Sequence, residues 1–297
     1  METLEVLKKR IKSGEDLQSV VRTMKTLAAV NIRQYDGAVE TLSHYNNTVE
    51  MGLRAVLKYA SGKTLGRSAG GGTVSVIFGS DQGLCGRFND IVADHYMASR
   101  PSRNNTGPPL YRIGVGDRLV GRLEEAHISV DEAFEVPGSL SAITPMTQAL
   151  LLRLQKLMGV RTYDRLALTY NRIVTGVVYE PCTTELLPLD RNWLDRVSDT
   201  PWPTRGIPAL RGEDETVFSR LVQQFLFVSL YRASAESIAA ENASRLFSMQ
   251  SAERNIGETL DAYRMALRLK RQSDITDELI DIVSGFEALT DQADRGT

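Results

Sequence analysis

The sequence predicts a small α/β domain set between two long helices that return on each other as an antiparallel coiled coil. Three observations carry that prediction: the placement of proline, the apolar repeat at both ends, and the change of pattern in the middle. All ten prolines fall between Pro101 and Pro208, so residues 1–100 and 209–297 lack the residue that most strongly breaks helices. Both ends are free to be continuous helix.

The first end carries Leu4, Leu7, Ile11, Leu17, Val20, Val21, Met24, Leu27 and Ala28, then Tyr35, Val39, Leu42, Tyr45, Val49, Leu53 and Val56, mostly at steps of three and four. This is one stripe over roughly 55 residues, ~80 Å of helix. The last end repeats it through Val217, Leu221, Phe225, Val228, Ile238, Leu246, Met249, Ile256, Leu260, Tyr263, Leu267, Leu279, Ile282 and Phe286, over roughly 70 residues. An ordinary helix has about 11 to 12 residues, and a narrow stripe held this long calls for a partner helix. Because the two stripes flank a different kind of sequence, the simplest closure pairs residues 4–57 with 217–289 in antiparallel order. The alternative is a bundle of short helices interrupted at Gly14, Gly37, Gly52 or Gly257.

In the middle, Val74–Phe78 and Leu110–Val115 read as strands, Ile91–Met97 and Ala142–Met158 as helices, and Leu166–Tyr170 and Val177–Leu189 as further strands. That alternation is the pattern of a small open, Rossmann-like α/β domain. Ser61–Gly72, rich in Gly and Ser, and Thr200–Gly212, with Pro201, Pro203 and Pro208, read as linkers. The expected division is therefore 1–60, 73–200 and 213–297, with the polar end Thr290–Thr297 expected to fray.

With 42% hydrophobic and 24% charged residues among 297, the chain can build a core. A net charge of -2 and a pI near 6.0 lack the positive field of a nonspecific nucleic-acid binder. The longest apolar run, Phe225–Tyr231, is broken at Ser229 and falls well short of the ~20 residues of a membrane span, so membrane association is expected only through partners. Glu2, Glu5, Lys8, Lys9 and Arg10 bring charge into the first turns, which predicts no signal peptide. Cys85 and Cys182 form no CxxC pair and His44, His95 and His127 are scattered, so neither a disulfide framework nor a structural metal is expected.

Nor does a catalytic constellation emerge. Ser61-Gly62-Lys63-Thr64 ends like a phosphate-binding loop, but Leu57 stands where that motif needs its first glycine. Gly114-Val115-Gly116 follows a strand, yet the third glycine of GxGxxG would fall at Leu119, so a plain strand-to-helix turn is expected. Asp274, Asp277, Glu278 and Asp281 line one helix face, either as a solvated face or as a docking surface. No cofactor and no enzymatic activity of its own are expected.

Three segments carry a family resemblance. Arg10–Asn31 reads RIKSGEDLQSVVRTMKTLAAVN, Ser80–Gly86 reads SDQGLCG, and the last end carries Glu241-Asn242-Ala243-Ser244-Arg245 followed by ITDELIDIVSG over Ile275–Gly285. In this order the three resemble the gamma subunits of rotary F-type ATP synthases, strongly at both ends and weakly from about residue 100 to 215. The resemblance implies a rotor subunit whose coiled coil threads a ring of alpha and catalytic beta subunits. Its α/β domain would sit near the epsilon subunit and the membrane c-ring, peripheral on the cytoplasmic face of a bacterial inner membrane. It further implies that Met24 and Lys25 pass the moving lever of beta and that Arg271, Thr276 and Glu278 grip a beta loop. Asp81, Gly83 and Gly86 would shape the turn. Polar groups able to make charge-assisted hydrogen bonds are the natural grips on an otherwise smooth shaft, and Arg271 and Glu278 are two helical turns apart, with Thr276 placed near the line between them. Gln82 replaces the family's usual arginine, and Asp274 and Asp277 make this shaft more acidic than usual. The competing readings are a non-rotary coiled-coil adaptor and an enzyme acting at the strand ends of the α/β domain.

Overall fold

The computed structural model describes residues 3–59, 71–99, 110–159, 162–202, 206 and 214–294. The Ser61–Thr64 motif and most of both expected linkers lie outside the described residues. The chain runs α1 (Leu4–Tyr59), β1 (Gly72–Phe78), α2 (Phe88–Ala98), β2 (Leu110–Val115), α3 (Asp117–Glu125), β3 (Glu132–Phe134), α4 (Leu140–Gly159), β4 (Tyr163–Thr175), β5 (Val178–Leu187), α5 (Arg191–Asp199) and α6 (Asp214–Asp294). α1 has 56 residues and α6 has 81. None of the four glycines interrupts them, which sets aside the short-helix bundle. α6 reaches Asp294, inside the segment expected to fray.

Two compact units divide the chain: Met1–Thr26 with Met249–Thr297, and Leu27–Ser248. In the first, the two helices run antiparallel, with Glu15 meeting Arg264 at 2.8 Å and Arg22 meeting Glu253 at 2.8 Å. Leu7 and Val21 of α1 and Met249 and Leu260 of α6 are buried. Gly14 lies on the same seam as Leu7 and Val21, seven residues from each. A Cβ placed there would come within 2.7 Å of the Leu260 side chain, so the glycine is a notch that receives a leucine. Beyond Lys270 no α1 partner is recorded for α6 among the described residues. Ile275, Leu279, Ile280, Ile282 and Val283 are all more than half exposed there, so the pairing expected over 217–289 does not hold along residues 275–283. In this register Arg10 lies over Tyr263.

In the second unit the sheet order is β3-β2-β1-β4-β5, parallel except for the antiparallel β4–β5 pair. Side chains alternate across a strand, and β1 shows the consequence. Val74, Val76 and Phe78 face a core shared with Leu150 and Leu154 of α4 and Leu226, Leu230 and Ala233 of α6. Ile77 faces the opposite side with Val92, Ala93 and Tyr96 of α2 and Leu119 and Leu123 of α3. Helices therefore cover both faces, the arrangement a mostly parallel sheet requires. α1 continues its seven-residue seam here through Ala28, Tyr35, Val49 and Val56, all buried. Asn31 donates to the Asn242 side chain at 3.2 Å, a polar pair between α1 and α6. The sequence reading missed α5. Its Asp190 caps the helix by accepting from the Asn192 N–H, while Leu194 and Val197 are buried and the Trp193 ring packs tilted against Phe225 at 5.0 Å. A signal was present, since Asp190 is a good N-cap and Leu194 and Val197 have helical spacing.

Candidate functional site

Two places collect the residues singled out from the sequence: the turn after β1, in the second unit, and the helix pair of the first unit. The turn begins at Gly79, where a Cβ would strike Leu119 at 2.3 Å. Ser80 is fully buried, its N–H donating to the Asn89 side chain and its hydroxyl to the Gln82 carbonyl. Asp81 reaches across to two other connections. One carboxylate oxygen accepts from the Asp117 N–H at 3.0 Å and the other from the Val136 N–H at 2.8 Å. Asp117 opens α3, whose N-cap Gly116 has no side chain to offer, so Asp81 caps that helix from 36 residues away in sequence. This negative charge stands where a helix N-terminus would otherwise attract an anionic ligand.

Of the two glycines expected to shape the turn, only Gly86 has a conformational reason. Its φ is 57° and a Cβ would lie 3.0 Å from the Ser248 hydroxyl, whereas the nearest atom to a Cβ on Gly83 is an arginine tip at 3.9 Å. The other left-handed position is Leu84, at φ 62°, and its side chain is exposed. Gln82 is exposed as well.

The turn docks on the Glu241–Arg245 segment of α6, which joins two of the segments that carried the family resemblance. Ser244 donates its hydroxyl to the Cys85 carbonyl at 2.5 Å and lies 3.0 Å from the Tyr179 hydroxyl. Arg245 donates to Glu241 at 2.6 Å and to the Gly83 carbonyl at 3.4 Å. Burial pushes the Glu241 carboxyl up, Arg245 draws it down, and Asp81 adds a smaller upward push. Burial likewise raises the Cys85 thiol, the opposite of what a nucleophile needs. Cys85, Phe88, Ala240, Ile173 and Tyr179 pack as one apolar cluster beside this turn. In a doubly wound sheet a ligand enters where the strand order reverses, here between β1 and β4 at their carboxyl ends. The chain fills that crevice with its own turn and helix. Gly116 points the same way: its φ is 112° and a Cβ would meet the Ser80 backbone at 2.8 Å, so the Gly114–Gly116 turn serves internal packing.

In the first unit, Met24 and Lys25 are half-buried on α1. Lys25 lies on the inner seam, seven residues from Gln18 and fourteen from Ile11. Its ammonium binds Glu253 at 2.5 Å, and Arg22 binds the other oxygen of the same carboxylate. Hydrogen bonds from Lys25 first and Arg22 second hold the Glu253 carboxyl below its usual range. Arg271, Thr276 and Glu278 are all exposed on α6. They do not share one face. At about 100° per residue Thr276 lies about 140° round the helix from Arg271, whereas Glu278 returns to within about 20° of it. The Thr276 hydroxyl donates to the Gln272 carbonyl. Among the neighbouring acids, Asp274 is held by Lys270 at 2.7 Å and Asp277 accepts from Ser273.

Comparison with known proteins agrees with this architecture. The family model described as ATP synthase matches residues 3–289. The gamma chains of Acidiphilium cryptum and Granulibacter bethesdensis are each 27% identical over 300 residues, covering 97% of this chain and 100% of theirs. That of Rubrobacter xylanophilus is 26% identical, covering 97% and 99%. In fold, the chain resembles one in the central stalk and c-ring structure of the Tetrahymena thermophila mitochondrial ATP synthase, with a TM-score of 0.59 at 22% identity over 78% of this chain and 99% of that one. A chain in the Euglena gracilis mitochondrial ATP synthase gives 0.63 at 14% identity, over 96% and 94%. Matched along nearly its whole length, with the three motif-bearing segments in their expected order, the chain belongs to the ATP synthase gamma-chain family.

Proposed function

We propose that the chain is the rotating central-stalk subunit of an F-type ATP synthase, coupling ion-driven rotation of a membrane c-ring to ATP synthesis or hydrolysis at beta subunits. The observation that carries this reading is the end of α6. Past Lys270 it runs on with Ile275, Leu279, Ile280, Ile282 and Val283 exposed. A helix that exposes an apolar arc about 160° wide calls for an apolar partner surface, and a sleeve of alpha and beta subunits supplies one. Arg271 and Glu278 would then be the polar grips on beta, and Met24 with Lys25 would pass its lever.

The α/β domain would meet the epsilon subunit and the c-ring, holding the stalk on the cytoplasmic face of a bacterial membrane without entering it. No described helix is long and apolar enough to cross a membrane. The subunit's part is mechanical. Its strand-end crevice is filled by its own turn, so nucleotide chemistry falls to the partners. One shaft cannot present the same surface to three identical beta subunits, and that asymmetry is what would drive them through different states in turn.

Coexpression with alpha and beta subunits from the same source tests the reading. A complex should purify intact and hydrolyse ATP, and a bead fixed to the α/β domain should rotate as it does so. Failure of this chain to join alpha and beta would refute the proposal.

A further inference from the structure

We propose that Glu253 is a positioning residue that keeps Lys25 turned into the helix pair and leaves Arg22 to carry the outward positive charge at that level. The inference rests on the rotor reading above for the partner it names, and on the first unit alone for its geometry.

Lys25 occupies a seam position, spaced by sevens from Gln18, Ile11 and Leu4. Seam positions face the partner helix, and a lysine there must either find a counter-ion or bend its ammonium back to water. It finds Glu253. The carboxylate takes Lys25 on one oxygen and Arg22 on the other, at 2.5 and 2.8 Å. The three side chains differ in exposure in the order the inference requires: Arg22 61%, Lys25 34% and Glu253 22%. Two cations share one carboxylate, so the cluster keeps a net positive charge, and the exposed guanidinium is where that charge meets a partner. The chemistry that would take it is a carboxylate on the passing surface of beta.

Without Glu253, Lys25 would be free to extend and a second cation would meet that surface. A stronger bond in one rotary orientation deepens one energy minimum and slows departure from it. Exposed ion pairs contribute up to about 1 kcal/mol, so the slowing expected is up to about fivefold. It should fade with salt, because charges near the surface are screened over about 10 Å at 0.1 M ionic strength.

The test uses the complex with alpha and beta. Glu253→Gln should lower ATP turnover by up to about fivefold at low ionic strength, with recovery at high salt or on adding Lys25→Gln. Arg22→Gln in the wild-type background should flatten the salt dependence. Equal turnover of Glu253→Gln and wild type at every salt concentration would overturn the inference, as would a defect that persists in the Lys25→Gln/Glu253→Gln double variant. If Glu253→Gln does not assemble, the exchange Lys25→Glu with Glu253→Lys decides. Restored assembly and turnover support an inward pair, and no restoration rejects it. If wild type itself fails to join alpha and beta, the rotor reading falls. The pairing is then read in the isolated chain by a double-mutant cycle of thermal unfolding, where zero coupling rejects it too.

Discussion

Replacing Asp81 by alanine should loosen the α/β domain at a predictable place. The carboxylate accepts the Asp117 N–H at 3.0 Å and the Val136 N–H at 2.8 Å, joining the end of β1 to the start of α3 and to the segment after β3. Hydrogen bonds to a charged group contribute about 1.5 to 3 kcal/mol each. The Asp117 amide is exposed enough for water to replace part of its bond, so the pair together is worth about 2 to 4 kcal/mol. Asp81→Asn retains an acceptor for one amide but turns an NH2 toward the other, so it should lose about half of that. Hydrogen exchange followed by mass spectrometry on the intact chain reads the effect locally. Exchange in α3 and around β3 should quicken by about thirtyfold or more in the alanine variant, since 1.4 kcal/mol is a factor of ten. Exchange near Asn31 and Asn242, in the polar pair of α1 and α6, should not change. Less than a threefold change at α3 in a folded Asp81→Ala protein would refute the capping role.

Further outcomes follow from the same geometry. Gly14→Ala and Gly37→Ala should have opposite signs in denaturant unfolding. At Gly37 a Cβ meets nothing within 4 Å, so helix propensity alone should add about 0.5 to 1 kcal/mol, whereas at Gly14 the clash with Leu260 should outweigh that gain by up to about 2 kcal/mol. Glu236→Gln should flatten the dependence of stability on pH. Burial raises the Glu236 carboxyl above its usual value, so the folded chain holds more protons than the unfolded one above about pH 4.5, and stability falls as pH rises through that window. Denaturant midpoints taken between pH 4.5 and 7 would show a steeper fall in wild type, and identical slopes would contradict the assignment. Arg271→Ala with Glu278→Ala should leave the melting temperature of the isolated chain almost unchanged, as both side chains are exposed, yet lower ATP hydrolysis in the assembled complex about tenfold. Full activity in the assembled double variant would show that the two do not grip beta.

The sequence alone determined the elements with the strongest periodicity and the plainest boundaries. A stripe at steps of three and four without proline has only one regular solution, so α1 and most of α6 could be read directly, and β2 falls on the residues expected of it. Short or half-exposed elements were harder. β3 has three residues with none buried, and α5 shows its amphipathic face only once there is something for Leu194 and Val197 to lie against. The family motifs also gave their positions without their reasons. That the Ser80–Gly86 turn needs Gly86 more than Gly83, and that Asp81 belongs to α3 as much as to its own turn, depends on backbone angles and partners tens of residues away. The sequence placed Lys25 and Glu278 alike among polar residues on long helices. The tertiary structure separated them, because an antiparallel register brings Glu253 opposite Lys25 while Glu278 stays exposed. Periodicity is a property of one helix. What a charged side chain can do depends on which second helix faces it and how far that helix extends.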